Sequence, residues 1–184
     1  LESANYKSQN NVQDIINYIM LELGQPLMVY DMDKVANKQI IVRRAEDGET
    51  VQLLDGSTVE LTSDDLVVAD PTKILSLCGI MGARGSDVTE SSANIFIESA
   101  YFDPTYVRRT ADRLNLSSDL SYRHTRGTDR GALAHPVNQA SAHIKELAGG
   151  EVSKGNIDIN AWPAQNRPVG VSLRRMNRML GLDL

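Results

Sequence analysis

The sequence has one cysteine, Cys78, in 184 residues, so no disulfide can form within the chain and a reducing compartment is its natural setting. No apolar run approaches the about 18 residues that a membrane span needs. The opening residues, LESANYKSQNN, lack both the basic and the apolar region of a signal peptide. A soluble, cytoplasmic protein with no membrane partner is therefore expected. The three histidines, His124, His135 and His143, make no HxxH or HExxH spacing and none is accompanied by cysteine, so no metal site is expected. Internal repeats and low-complexity tracts are missing too.

The charge is unevenly distributed. The net charge of −5 divides into −9 over residues 1–100 and +4 over residues 101–184, where 10 of the 12 basic residues are Arg. Contact with nucleic acid is expected in the second half, weak for the acidic chain as a whole and weaker with rising salt. Taken singly, Arg108, Arg109 and Arg113 read as the solvated face of a helix.

The pattern of apolar residues defines an α+β chain with a mostly antiparallel, sandwich-like β core flanked by helices. Asn11 to Leu23 carries Val12, Ile15, Ile16, Ile19, Met20 and Leu23 at helical spacing, and Gly24 and Pro26 end it. Asn17 falls beside that stripe. Short strands are predicted at Leu27 to Tyr30, Gln39 to Arg44, Val51 to Leu54, Thr58 to Leu61, Leu66 to Ala69, Ile74 to Cys78 and Asn94 to Ala100, with Asp55-Gly56 as a hairpin turn. Val51, Leu53, Val67, Ile74, Leu77, Ile95 and Ile97 are the predicted core. Helices are predicted from Asp103-Pro104 to Leu114 and over Asp129 to Ala148, the second holding Pro136 as a kink or a later start. The polar segment SSDLSYRHTRG between them has no period and reads as a functional loop.

The stretch from Ile74 to Phe102 draws attention for its chemistry. Gly79, Gly82 and Gly85 expose backbone after a buried strand, and Glu98 stands in an apolar strand, where a carboxylate is costly unless paired or used. A glycine turn joining two paired strands could set Glu98 opposite free backbone N–H groups. An edge-strand Glu facing water is the plainer alternative.

Taken together, NNVQDIINYIMLELGQPL, VRRAEDGE, LLDG, VVADP, GIMG, NIFIESAYFDPTYVRRTADRLNL, SYRHTRGTD and ELAGGE resemble the editing (B3/B4) domain of the β subunit of bacterial phenylalanyl-tRNA synthetase over about residues 10 to 152. The closing PVGVSLRRMNRMLG resembles the start of that family's next (B5-type) domain. The resemblance implies an editing domain over 1–152, a linker over 153–168, and a following domain that begins at 169–184 with a strand and an amphipathic helix. It further implies an α2β2 assembly with an α subunit and tRNA(Phe) as partners, and ATP and Mg2+ for the whole ligase but no cofactor in this piece.

By the same resemblance, Glu98 matches the glutamate that reads a tyrosine hydroxyl, Asn17 the helix asparagine of the site, and Ser118 a position usually threonine. These three are the catalytic candidates, with water attacking the ester. Gly79 and Gly82 match the glycines whose backbone lines the pocket, and Cys78, Met28 and Leu120 complete the substrate-binding candidates. Met28 stands where the family's GQPxH motif has histidine, while Leu120 and Cys78 each stand where it has alanine. A selective phenylalanine pocket cannot strongly reject an isostere that adds one hydroxyl, so a second, hydrolytic site for mischarged Tyr-tRNA(Phe) has a physical purpose. A non-catalytic module for tRNA binding and subunit assembly, with editing lost, is the alternative that Met28 and Leu120 favour.

Overall fold

A computed structural model describes residues 1–160 and 168–183. The chain divides into two units, Leu1–Lys154 and Gly155–Leu184. Among its described residues the second unit contributes one helix, α5 (Leu173–Leu180), capped by the Ser172 side chain and ended by Gly181. Residues 168–172, where a strand is predicted, join no ladder among the described residues. Part of the predicted linker, residues 161–167, lies outside the described residues.

The first unit opens with α1 (Asn11–Leu23), whose start is fixed by the Asn10 side chain accepting the Gln13 N–H at 2.9 Å. Gly24 ends it in the left-handed conformation (φ 73°). The chain then enters β1 (Leu27–Asp31), followed by β2 (Ile41–Arg44), β3 (Thr50–Gln52), β4 (Thr58–Glu60), β5 (Leu66–Ala69), β6 (Ile74–Leu77), β7 (Met81–Gly82) and β8 (Ile95–Ser99). All the ladders are antiparallel and build three small sheets, β1-β8, β2-β5-β6-β7 and β3-β4. Asp55-Gly56 forms the hairpin turn between β3 and β4, with Gly56 at φ 92°.

One pairing departs from the sequence reading in a way that matters for the site. β6 turns back through Gly79 onto β7, and β8 pairs with β1, placing Leu27 opposite Ser99, Met28 opposite Glu98 and Tyr30 opposite Phe96. Glu98 therefore does not face the glycine turn across a shared ladder. Alternation along the β1-β8 ribbon sends Leu27, Val29, Ile95 and Ile97 to one face and Met28, Tyr30, Phe96 and Glu98 to the other. The first face packs with Val12, Ile15, Ile16 and Ile19 of α1, and with Ala140, Val137 and Ile144 of α4 (Ala134–Leu147). The second face joins the larger core around Leu53, Leu61, Val67, Leu75, Leu77 and Ile80. Of the predicted core, Val51, Leu53, Val67, Ile74 and Leu77 are buried, whereas Ile95 and Ile97, on a strand with β1 as its ladder neighbour among the described residues, are only partly so.

After β8, Asp103 caps α2 (Pro104–Leu114), accepting from Thr105 N–H at 2.8 Å, with Pro104 at the first helical position. Arg113 is not simply solvated. It pairs with the buried carboxylate of Asp65, which also accepts from Thr110 at 2.7 Å, and Arg108 donates to the Thr125 carbonyl at 2.7 Å. The segment expected to be a loop contains a short helix, α3 (Asp119–His124), made possible by a capping box between Ser118 and Ser121. α4 starts at Ala134, five residues later than predicted, and Pro136 sits in its first turn, where a backbone N–H has no helical partner to lose. Leu147, the last residue of α4, is exposed.

His124, on the last turn of α3, is 3 % exposed and packs its ring on Phe102 with centroids 5.4 Å apart. Its Nδ1 has no hydrogen-bond partner among the described residues, and burial holds its pKa down from 6.5 to about 4. The folded state thus resists a proton that the unfolded chain accepts, so stability falls as pH drops from about 6.5 to 4, by about 3 kcal/mol for this group alone. Glu98 works in the opposite sense, since its pKa is raised from 4.5 to about 6 and the folded state takes up the proton first. Urea unfolding of wild type and His124→Phe between pH 7 and 4.5 checks this. The wild type should lose stability relative to His124→Phe as pH falls, and parallel curves would contradict the assignment.

Candidate active site

The glycine turn between β6 and β7 is where a side chain would crowd its neighbours most. Gly79 adopts φ 69°, and a Cβ there would lie 3.0 Å from the His124 ring. At Gly82 a Cβ would come within 2.8 Å of Leu54 Cδ1 and 3.2 Å of Met28 Cε. Gly82 thus makes the room into which Leu54 and Met28 both reach, and Leu54 is fixed there by its N–H donating to the Gly82 carbonyl at 3.0 Å. The Ser118 hydroxyl joins the same turn to α3. It donates to the Ile80 carbonyl at 2.5 Å and accepts from the Ser121 N–H at 3.0 Å.

Around this turn lies a cleft of about 450 Å³, within the range of small-ligand pockets. Asn17 of α1, Met28 of β1, Gly82, Ser118 and Leu120 all line it. Five of the eight residues singled out in the sequence therefore converge here, from four separate parts of the chain. Gln9, Gln13, Asn17, Met20 and Leu120 also wall an adjoining groove of about 520 Å³ that runs out past Tyr6, Lys7 and Asp119. Tyr6 donates to the Asp119 carboxylate, fastening the N-terminal segment to the first turn of α3. Asn17 Oδ1 accepts from Gln13 Nε2 at 3.3 Å, so its Nδ2 group is the donor it has to offer.

Glu98, Cys78 and Gly79 do not line the cleft. Gly79 is covered by His124. Cys78 is 3 % exposed, and burial together with the charge of Glu98 pushes its thiol well above the ordinary range, which leaves it a protonated, unreactive group. Glu98 lies beside Met28 and Tyr30 on the inner face of the β1-β8 ribbon, and its Oε2 accepts the Tyr30 hydroxyl at 2.7 Å. Tyr30 is also 2.9 Å from Ser76 Oγ, giving a short polar chain, Ser76–Tyr30–Glu98, in an apolar core. Burial raises the Glu98 carboxyl to about 6, with the Tyr30 hydrogen bond pulling the other way. Burial and the Glu98 charge raise Tyr30 well above 10, so the shared proton stays on the phenol. At neutral pH Glu98 is a partly buried carboxylate that accepts a phenol's hydrogen bond.

The sequence reading missed Tyr30, Ser76, Gln13 and Leu54. Signals for two of them existed. Tyr30 alternates with Met28 on one strand, and Gln13 stands one helical turn before Asn17. Nothing local marks Ser76 or Leu54, which arrive by pairing between distant strands. Among the described residues no group of three or more His, Cys, Asp and Glu side chains is placed to hold a metal ion.

This cleft sits in a fold assembled from an N-terminal helix, short antiparallel ribbons and a helical second half, and residues 1–149 match the family model of the B3/4 domain. The chain belongs to that family. It is similar to the phenylalanine–tRNA ligase β subunit of Geobacter sulfurreducens, with 41 % identity over all 184 residues, and to those of Protochlamydia amoebophila and Bacillus cereus, each at 39 %. The chain spans 23 % of the length of these curated relatives.

Ser118 is expected to hold α3 against the glycine turn as well as line the cleft. Ser118→Ala should cost about 1–3 kcal/mol by removing a helix cap and a tether together, and Ser118→Thr should retain most of that. Chemical denaturation of the two variants checks this, and an Ala variant as stable as wild type would refute it.

Proposed function

We propose that this chain is the editing portion of a phenylalanine–tRNA ligase β subunit, hydrolysing the ester of Tyr-tRNA(Phe), with Glu98 as the group that reads the tyrosine hydroxyl. The observation that carries the reading is the convergence of Asn17, Met28, Gly82, Ser118 and Leu120 on one cleft with an ionised, phenol-accepting carboxylate next to it. The cleft supplies an apolar wall of Met28, Leu54 and Leu120 for an aromatic ring, and Asn17 and Gln13 as amide donors for an ester or its attacking water. Water adds to the ester carbonyl, the bond to the ribose oxygen breaks, and the water's proton passes to that oxygen, releasing tyrosine and tRNA with a free hydroxyl. Asn17 and backbone N–H groups orient the reaction, with Ser118 fixing the wall against which it occurs. The protein supplies no covalent nucleophile, in keeping with the buried, protonated Cys78.

In the whole protein this portion would work beside an α subunit in an α2β2 ligase acting on tRNA(Phe) in the cytoplasm, and ATP and Mg2+ would serve the aminoacylating site, outside this chain. Residues 1–152 would form the editing domain, 153–168 a linker and 169–184 the start of the next domain.

A second reading, a tRNA-binding and assembly module that has lost hydrolysis, is favoured by two observations. Ser118 spends its hydroxyl on Ile80 and Ser121, and Glu98 is already bonded to Tyr30.

Hydrolysis of Tyr-tRNA(Phe) and Phe-tRNA(Phe) by the complete ligase, wild type beside Glu98→Ala and Met28→His, tests both. A charge-assisted hydrogen bond sets a ceiling of roughly ten- to a hundredfold on the preference for the tyrosyl ester. Wild type should prefer the tyrosyl ester within that ceiling and Glu98→Ala should lose the preference. An unchanged Glu98→Ala would remove Glu98 from recognition. An inert wild type that Met28→His revives would establish the second reading.

A further inference from the structure

The structure offers Glu98 a phenol of its own. Tyr30 is 1 % exposed, and its hydroxyl makes with Glu98 Oε2, at 2.7 Å, the same donor-to-carboxylate bond that a tyrosyl substrate would make. Two further contacts hold the ring in place, Ser76 Oγ at 2.9 Å and Phe96, stacked with centroids 6.3 Å apart. Met28 and Tyr30 line the cleft and Glu98 does not. We infer that Tyr30 is the specificity-limiting residue of this site, its phenol occupying Oε2, one of the two carboxylate oxygens of Glu98 to which a substrate phenol could donate.

The inference rests on the reading of Glu98 as the hydroxyl reader. An intramolecular donor is present at a high effective concentration, so an incoming phenol gains only the difference between two nearly equal bonds. Discrimination by the native chain is thereby held below the ceiling for a vacant carboxylate. Removing the Tyr30 oxygen while keeping the ring takes the donor from Glu98 Oε2, and an acceptor left without a partner in an apolar setting is where a substrate hydroxyl is worth most. Ser76 loses one partner in that variant, and Phe96 keeps its stacking contact.

Tyr30→Phe, alone and combined with Glu98→Gln, tests this in the complete β subunit with its partner. Two readouts are needed, binding of p-cresol and of toluene followed at the Met28 methyl signal by NMR, and hydrolysis of Tyr-tRNA(Phe) against Phe-tRNA(Phe). Tyr30→Phe should bind p-cresol at least about tenfold more tightly than wild type, with toluene unchanged, and the double variant should lose the gain. The tyrosyl preference in hydrolysis should rise by a similar factor. An unchanged ratio of p-cresol to toluene affinity in Tyr30→Phe, or a gain that survives Glu98→Gln, would overturn the inference. A gain in p-cresol binding with no hydrolysis by either protein would uphold the inference and refute the editing reading.

Discussion

The antiparallel pairing of β1 with β8 is the constraint on which both the core and the site depend. It joins residues 68 positions apart in the chain and gives the resulting ribbon two unlike faces. One face is apolar and buries α1 and α4. The other brings Met28, Tyr30 and Glu98 together, so the strand register that seats the helices also sets the polar chain. A slip of β8 by one residue would exchange its two faces, turning Ile95 and Ile97 toward the polar chain and Glu98 against Ile16 and Ile19. The cost of burying a carboxylate among those isoleucines makes that alternative strongly unfavourable.

Close approach at the glycine turn is the second requirement. Gly79 admits His124, and Gly82 admits Leu54 and Met28, each at distances that a Cβ would violate. The Ser118 hydroxyl then ties α3 to Ile80 between them. Function and stability share these contacts. His124 is dry because the turn covers it, and the cleft keeps its shape because α3 is held there. The same burial that lowers the His124 pKa to about 4 raises that of Glu98 to about 6, which gives the domain two buried titrating groups of opposite sense in the acid range.

Much of this was legible in the sequence, and the exceptions have physical causes. α1 and α2 carry their caps, stops and periodicity within themselves, and both were read to the residue or nearly so. The Asp55-Gly56 hairpin is likewise local. α3 shows no helical pattern in the sequence because a six-residue helix has too few turns to show a period, and its one signal, serine three residues before serine, lacks the usual acidic member of a capping box. Glu98 stands out in the sequence by its apolar setting, but its neighbour in the structure is β1 and not the glycine turn. Which strand pairs with which is decided by long-range packing, and the glycine turn offered a nearer partner than the true one, β1. A tyrosine in a strand is ordinary, so Tyr30 does not stand out in the sequence. Its hydroxyl matters only once β8 lies beside it.

The central claim is that the cleft between α1, the glycine turn and α3 receives the side chain of an aminoacyl ester. A crystal structure of the complete protein with a non-hydrolysable tyrosyl-adenosine tests it most directly. The expected result is an aromatic ring between Leu54, Met28 and Leu120, with the amide that replaces the ester near Asn17. The tyrosyl group bound elsewhere on residues 1–154, with the cleft left empty, would contradict it.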